Sequence, residues 1–505
     1  MHCAASAGRI TISILPDNIL LHIFLIDGLE YQDERPITNF LVMKNEDRVR
    51  NQPWTWHRLG HVCQRWRSIV FASPNFLDLR LVCGPRTPIE LTCIWPPLPI
   101  ILTNALERDE LQVDEPDDYE FDVDAAIMHP DRIREICLFD LTRSFLQRLA
   151  SATLMQEQFP ALVHLTLEFG GSHGRSARPA PALPDGFLGG SVPRLQSLEL
   201  HFILFPALPK LLLSATDLVR LDLWGIPHSG YFSPEAIVTG LAILANLKSL
   251  FIGFESPLSR PDRKRQRPPP LTRTVLPALT RFDFKGASEY LEDFVARIDA
   301  PLLDSIYITF FLQLIFDTPR LAQFMGRTAR FQELKEAYVI INRSGVRVET
   351  LRVSPPAWTF INPETSGLKI PCNELDWQLS SIAQVFTSFF PFIYQVEHLY
   401  LIHERPNFSN SPWISWGFNI EDVQWLEIFH PFTAVKNLYL PEKFVPSIAL
   451  AMQELVGGRT TEVLPTLQNI FLEGPLLEGI QTFVAARQLS GHPITVFPWE
   501  RDWLQ

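Results

Sequence analysis

The sequence predicts an α/β fold in which a small N-terminal helical module precedes an irregular solenoid of parallel strands with helical or irregular returns. Three observations predict this fold. Apolar residues near the N-terminus recur at helical spacing in two stretches, and from Ile133 onward the chain repeats a unit of the form apolar-x-x-apolar-x-apolar. The third is the presence of 42 prolines, many placed between apolar runs, which indicates many short elements separated by turns.

The N-terminal module begins at Pro16, where a helix start does not need the missing N–H group. Asp17 follows in the first turn, where the helix dipole favours a negative charge. The apolar residues of this helix share one face: Ile19, Leu20, Ile23 and Phe24. A second stretch, from Trp56 to Val70, has apolar residues at the spacing of one long amphipathic helix. Two such helices can pack their apolar faces against each other, and some apolar residues would still remain exposed.

The motifs Leu-Pro-x-x-Ile-Leu-x-x-Ile-Phe at 15–24 and Val-Cys-x-x-Trp-Arg at 62–67 resemble an F-box. This is the helical module that docks a protein onto the Skp adaptor of a cullin–RING ubiquitin ligase. The continuation at 73–81, together with Arg86-Thr87-Pro88-Ile89, resembles a large group of F-box proteins from mushroom-forming fungi. We expect the F-box to span 11–82. It departs from an ordinary F-box in a polar and charged insert at 27–53.

The resemblance implies that a Skp-family adaptor, and through it a cullin–RING ligase, is a partner. The residues implied in adaptor binding are Leu15, Pro16, Ile19, Leu20, Ile23, Phe24, Val62, Cys63, Trp66 and Arg67. The pattern does not divide them between the core of the hairpin and the adaptor surface. Pro16 favours a surface role because a helix-start proline adds little to a core, whereas Trp66 can anchor either side. An adaptor-docking hairpin must leave several of these residues accessible, whereas a hairpin that only caps the repeats buries them.

The segment 83–130 is predicted to be a linker with an acidic loop, centred on Asp114-Glu115-Pro116-Asp117-Asp118. The formal net charge of −12 argues against nucleic acid as a partner, since general nucleic-acid binders are basic. The longest apolar run, Ile306–Phe316, is too short to span a bilayer, so no membrane association is expected.

The six cysteines form no Cys-x-x-Cys pair, which is typical of free thiols in a reducing compartment. Residues 1–9 lack a basic region that leads into a long apolar core, so no secretory signal is evident. We therefore expect a cytoplasmic protein, a nuclear protein or one found in both places.

The repeats predict one long domain over 131–505. The copies begin at Ile133, Leu162, Leu195, Leu218, Leu247, Leu279, Leu303, Leu334, Val396, Val435 and Leu467. Successive starts among the first seven lie 29, 33, 23, 29, 32 and 24 residues apart, and a period in this range is the mark of a solenoid. The pattern resembles a leucine-rich repeat, which implies one short parallel strand and a return in each unit.

Within each predicted strand the last two apolar positions point into the core and the residue between them points outward. Such outward residues line the usual binding surface of repeat arrays, so we expect an unknown protein target to bind there. The candidate target-binding residues are Glu199, Asp222, Phe251, Asp283 and Tyr307. The array departs from ordinary leucine-rich repeats because the regular Asn or Cys after the strand is absent. A hairpin of Ala337–Ile341 and Val346–Val353 also interrupts the repeat, and we expect it to be either inserted in the array or at its edge.

A catalytic role has no support in the sequence. His57 and His61 lie one helical turn apart, but no third ligand is near them, so no metal site is predicted. The chain has no Gly-x-Gly-x-x-Gly, phosphate-loop or Gly-x-Ser-x-Gly motif, so neither a cofactor nor an enzymatic activity is expected.

The sequence therefore predicts a substrate-recognition adaptor of a Skp–cullin–F-box ubiquitin ligase. The F-box would dock the Skp adaptor, and the repeats would hold a protein target. The alternative is a ligase-independent leucine-rich-repeat interaction scaffold in which the hairpin serves as a structural cap, because solenoids need a covered end. An enzyme built on a repeat scaffold is a third and remote reading.

Overall fold

The computed structural model describes residues 14–33, 59, 61–73, 80–83, 98–104, 129–151, 157–170, 182–261, 272–311, 318–328, 331, 335–342, 345–351, 366–371, 383, 393–403 and 423–500. The chain divides into two compact units, one of residues 1–171 with 186–194 and one of residues 172–185 with 195–505. None of the described helices is both long enough and apolar enough to cross a membrane.

The first unit combines a helical hairpin with a small parallel sheet. Its helices are α1 (Asp17–Asp33), α2 (Gln64–Ala72) and α3 (Arg143–Ser151), and a short 3-10 turn spans 187–190. Its strands are β1 (Leu81–Cys83), β2 (Ile100–Thr103), β3 (Ile133–Leu141) and β4 (His164–Phe169). They pair in parallel in the order β1-β2-β3-β4.

Strand β2 lies inside the segment 83–130 that the sequence predicts to be a linker, so that prediction is corrected for this part of the chain. All four residues of β2 are buried. A strand buried on both faces lacks the alternating pattern by which the repeats were recognised, so Ile100-Ile101-Leu102 gave no repeat signal. The acidic segment 107–124 lies outside the described residues.

The two helices of the hairpin differ from their predicted bounds. Helix α1 continues to Asp33, into the predicted insert, whose remainder at 34–53 lies outside the described residues. The prediction of one long helix from Trp56 to Val70 is wrong at Cys63, whose backbone is extended and whose Sγ accepts the N–H of Trp66 at 3.5 Å. Cys63 therefore caps a new helix, α2, instead of continuing the one before it. Trp56 and His57 lie outside the described residues.

The second unit contains a sheet and a series of return helices. Its sheet strands are β5 (Ser197–His201), β6 (Arg220–Ile226), β7 (Ser249–Phe254), β9 (Arg281–Gly286), β11 (Ser305–Phe310), β12 (Glu336–Asn342), β13 (Gly345–Leu351), β14 (Ser366–Pro371), β15 (His398–His403), β16 (Asn437–Leu440), β17 (Asn469–Leu472) and β18 (Thr495–Pro498). Strands β8 (Thr274–Val275) and β10 (Ile298–Asp299) form a separate parallel pair. The helices are α4 (Leu208–Leu212), α5 (Pro234–Leu241), α6 (Ser288–Val295), α7 (Pro319–Gly326), α8 (Val423–Phe429), α9 (Val445–Gln453) and α10 (Glu478–Leu489), with 3-10 turns at 228–230 and 393–395.

The strand alternation that the repeats predict is confirmed. The two inward positions of each copy, such as Leu221 and Leu223 in β6, are at most 4% exposed in all eleven copies. Nearly all neighbouring strands of the second unit pair in parallel, with one strand from each repeat. Because the inward residues of neighbouring strands stand in register, each repeat completes the core of the next.

The predicted hairpin is also confirmed, and it is an insertion within the sheet. Strands β12 and β13 pair antiparallel with Asn342 opposite Gly345. A third strand, β14, pairs antiparallel with β13 and parallel with β11. The sheet order is therefore β11-β14-β13-β12-β15, so the hairpin does not lie at an edge.

Candidate functional site

An aromatic contact and an ion pair join the two helices of the hairpin. The rings of Phe24 and Trp66 lie 4.7 Å apart between centroids. Arg65 Nη2 lies 2.6 Å from Asp17 Oδ1 and donates a second hydrogen bond to the carbonyl oxygen of Leu15. These contacts tie the start of α1 to α2 and fix which face of α1 remains outside.

The structure divides the ten predicted adaptor residues between core and surface. Leu20 and Phe24 are buried, Leu15 and Trp66 are half-buried, and the others are exposed: Pro16, Ile19, Ile23, Val62, Cys63 and Arg67. Ile19 is 42% exposed, Ile23 37% and Val62 59%, so three large aliphatic side chains of one hairpin face outward. Pro16, directly before α1, and Ile19 and Ile23 within it are spaced by three and four residues, so they form one strip along the helix.

On the sheet of the second unit, the five predicted target-binding residues stand side by side. Glu199 lies opposite Asp222, Asp222 opposite Phe251, Phe251 opposite Asp283, and Asp283 opposite Tyr307. They form what we call the central row, running across β5, β6, β7, β9 and β11. The expectation that they share one face is met. Glu199 and Asp283 are nevertheless buried, and each forms an ion pair with an arginine, Arg220 and Arg281 respectively.

Arg220 joins the two carboxylates at one end of the central row. Its Nε lies 3.1 Å from Glu199 Oε1, and its Nη2 lies 3.0 Å from Asp222 Oδ2. Burial alone raises the pKa of Asp222, but interaction with His201, whose Nε2 lies 3.7 Å from Asp222 Oδ1, and the charge and hydrogen bond of Arg220 outweigh burial and hold that pKa below its ordinary value. Asp222 is therefore ionised and bound to its neighbours.

The sequence did not predict a metal site here, but three residues with potential metal-ligand atoms lie close together. Glu199, His201 and Asp222 each place one potential ligand atom within 4.8 Å of the others. The guanidinium of Arg220 already supplies positive charge to both carboxylates. A metal ion would have to displace it, so the arrangement acts as an ion-pair network.

Asp283 stands in a different environment two strands away. Its Oδ2 accepts a hydrogen bond from Arg281 Nε at 2.7 Å, while its buried Oδ1 has no hydrogen-bond partner among the described residues. Burial raises the pKa of Asp283, and the attraction of Arg281 does not fully offset this effect. The central row thus contains one carboxylate that favours the charged form and one that resists it.

A second row of residues was missed because the sequence reasoning followed only one outward position per repeat. This second row lies beside the central row, two residues along each strand: His201, Trp224, Gly253, Lys285, Thr309, Lys369 and Arg347. Lys369 and Arg347 come from β14 and β13, which no repeat motif could place next to β11. A count of lysine and arginine at both outward positions of each strand would have found part of the row.

The second row is aromatic at one end and cationic at the other. Trp224 stacks on Phe251 of the central row with centroids 5.0 Å apart. Lys285 Nζ lies 4.6 Å from the centroid of the Trp224 ring. A Cβ on Gly253 would lie 3.1 Å from the Phe251 ring and 3.2 Å from the Trp224 ring, so a larger residue there would require these rings to shift slightly.

Beyond β13, the row that continues the central row becomes an aromatic stack. We use that name for Tyr338, Tyr400, Tyr439, Phe471 and Phe497. Successive ring centroids lie 4.5, 4.0, 4.4 and 5.3 Å apart with nearly parallel planes. The stack follows the strand spacing of about 4.8 Å, so the rings pack repeat against repeat.

Comparison with known proteins gives no family assignment. No family model matches the chain, and no curated protein matches it. Among solved structures, the leucine-rich repeat-containing protein LegL7 from Legionella pneumophila is similar over 74% of this chain and 95% of its own, with 13% sequence identity and a TM-score of 0.27. A likeness at that level carries no argument, so the repeat description rests on the strand register and burial given above.

Proposed function

We propose that this protein is a substrate-recognition adaptor of a Skp–cullin–F-box ubiquitin ligase. The hairpin of α1 and α2 would bind a Skp-family adaptor, and the outer face of the second unit's sheet would bind a protein target. Ubiquitin transfer would be carried out by the recruited enzymes. The adaptor would contribute proximity by raising the effective concentration of a target lysine near the loaded conjugating enzyme.

The observation that carries the proposal is the exposed apolar strip on a hairpin whose core is already filled. Leu20 and Phe24 are buried, while Ile19 and Ile23 on the same helix face outward. A hairpin serving only as a cap would bury that strip. Exposed apolar strips of this kind mark interaction surfaces, and they suit a helical partner that packs between the turns of α1.

The test is a pull-down of the full-length chain with a purified Skp-family adaptor. Pro16→Ala combined with Ile19→Ala truncates two of the three residues of the exposed strip without touching Leu20 or Phe24, so we expect adaptor binding to be lost. Asn18→Ala, an exposed polar position on the same helix, is the matched control and should bind like wild type. Circular dichroism checks that the double variant is folded. A folded wild-type chain that fails to bind the adaptor would contradict the proposal and favour the interaction scaffold.

A further inference from the structure

We propose that the cationic end of the second row binds a phosphate monoester on the target, held between the ammonium groups of Lys285 and Lys369 above the hydroxyl of Thr309. The inference rests on the proposed function, because it names the chemistry of the target that the sheet face would recognise. It concerns residues outside the central row that the sequence predicted.

The strand register places the three residues. Lys285 lies opposite Thr309, and Thr309 lies opposite Lys369. With strands about 4.8 Å apart, the Cα atoms of the two lysines are roughly 10 Å apart on either side of the threonine. Flexible four-carbon stems allow both ammonium groups to reach one oxyanion between them, and the Thr309 hydroxyl can donate to it from below.

The two lysines carry positive charge, and Glu255 is the one carboxylate among the described residues that acts on Lys285. Neither lysine forms an ion pair among these residues, whereas Arg347 at the end of the row is matched by Glu349, with Nε 2.9 Å from Oε1. The pKa of Lys285 is lowered by burial first and then by repulsion from Lys369, and the attraction of Glu255 does not offset these two effects. Like charges held together on a protein whose net charge is −12 indicate a site arranged for an anion.

Charge matching selects the kind of anion. A carboxylate carries one negative charge and would leave one ammonium unmatched, whereas a phosphate monoester carries about −1.5 to −2 and matches both. Trp224 and Phe251 continue the same surface beside Lys285, and Lys285 itself rests on the Trp224 ring. A phosphorylated side chain could bind the two lysines while an apolar side chain beside it packs on the aromatic rings. This arrangement favours a phosphorylated protein segment as the ligand.

The experiment uses the full-length chain and two peptide libraries. One library has a fixed phosphothreonine between degenerate flanks, and the other has threonine in its place. We expect wild type to retain the phosphorylated library at least about tenfold more strongly, and Lys285→Gln and Lys369→Gln each to lose about tenfold of that preference. Lys285→Arg should keep it. Lys210→Gln, at a lysine with a 79% exposed side chain in the same unit, is the matched control.

Thermal melts separate a binding role from a structural one. If the two lysines bind an anion, replacing either with glutamine removes the repulsion between their ammonium groups. The Tm should then stay equal or rise while retention of the phosphorylated library falls. A lower Tm with unchanged library preference would overturn the proposal, as would equal retention of both libraries by wild type. Inorganic phosphate should compete only weakly. A soluble inositol phosphate and a free phosphopeptide are also compared as competitors for the bound library. If the inositol phosphate displaced the library at a far lower concentration than the phosphopeptide, the site would bind a small molecule and the proposal would be overturned.

Failure of this inference can be told apart from failure of the proposed function. The lysine variants leave the hairpin untouched, so we expect them to bind the Skp-family adaptor like wild type. Loss of phosphopeptide preference with adaptor binding intact supports the phosphate site. Adaptor binding with no phosphopeptide preference in wild type overturns the phosphate site and leaves the adaptor proposal standing.

Discussion

Glu292 illustrates how a single buried charge can organise the fold. The residue is buried in α6, and its carboxylate accepts the backbone N–H groups of Arg320 at 3.0 Å and Leu321 at 2.8 Å. These N–H groups belong to the first turn of α7, whose own N-cap residue, Thr318, makes no side-chain capping bond. Glu292 therefore caps the helix of the next repeat, and its negative charge also suits the positive end of that helix.

Replacing Glu292 with alanine should destabilise the protein by about 1 to 2 kcal/mol, because α7 loses its cap. Glu292→Gln keeps one acceptor oxygen and should cost less. Glu478→Ala is the control: it removes an exposed first-turn carboxylate from α10 and should change stability by less than about 0.5 kcal/mol. Urea unfolding of the three variants measures the difference. An alanine variant at position 292 as stable as wild type would show that the cap contributes nothing.

Asp222 predicts a particular pH dependence. Its pKa is held below the ordinary value in the folded state, so its contribution to stability is present above the unfolded pKa and is lost as pH falls through the folded pKa. Asp222→Asn should therefore cost about 2 kcal/mol near pH 7, and the difference from wild type should shrink in acid. Chemical unfolding across this pH range measures it. A difference that stays constant with pH would contradict the assignment.

The stability contribution of Asp283 changes with pH in the opposite direction to that of Asp222, so the two residues can be compared within one protein. The pKa of Asp283 is raised by burial, so the stability that this residue contributes is full below the unfolded pKa and is lost as pH rises through the folded pKa. Compared with wild type, Asp283→Asn should therefore become relatively more stable as pH rises. The two variants are expected to change in opposite directions over the same titration.

At the scale of elements, the sheet is stabilised on its outer face as well as in its core. The aromatic stack joins β12, β15, β16, β17 and β18 through rings whose closest pair, Tyr400 and Tyr439, lies 4.0 Å apart between centroids. Trp499 packs edge-on against Tyr439 at 5.5 Å. Each of the three inner rings therefore contacts the strand before it and the strand after it, which is how stacked repeats share stability.

Removal of the central ring should show this coupling. We expect Tyr439→Ala to cost about 2 to 3 kcal/mol, since the half-buried ring touches Tyr400, Phe471 and Trp499. Tyr439→Phe should be mild because it keeps the ring. Tyr394→Ala removes a tyrosine that is 49% exposed and provides the control. Thermal melts of the three proteins distinguish stacking from an effect of the hydroxyl.

At the scale of the whole molecule, the two proposed binding surfaces lie in different units. The hairpin belongs to the unit of residues 1–171 with 186–194, and the second row belongs to the other unit. The chain as a whole carries a net charge of −12, so the lysine pair is a local exception to an acidic protein. Such a local charge acts at short range and is weakened by salt.

The two activities should therefore be separable by mutation. Pro16→Ala with Ile19→Ala should remove adaptor binding and leave phosphopeptide preference unchanged. Lys285→Gln with Lys369→Gln should do the reverse, and its binding defect should be largest at low salt. Both double variants are measured in the same pull-down and library assays. If either double variant lost both activities while remaining folded, the two surfaces would not be independent.

The sequence by itself determined the features that depend on local spacing. The inward positions of β6, Leu221 and Leu223, follow from alternation along one strand, and the β12–β13 hairpin follows from two apolar runs joined by a tight turn. Cys63 shows what residue spacing cannot predict. The apolar residues keep their helical spacing on both sides of it, but its thiol caps a new helix. Periodicity describes which residues share a face, but it does not register a capping bond.

Only the tertiary structure decided which apolar residues of the hairpin are buried and which lysine residues lie close to each other. Ile19 and Leu20 are adjacent and equally apolar, yet one is 42% exposed and the other 0%, because the packing of α2 chooses the buried side. Lys285 and Lys369 are brought close by β14, which pairs with β11 although β12 and β13 lie between them in the chain. Pairing between strands far apart in the chain is set by the register of the whole sheet, and no local pattern carries that information.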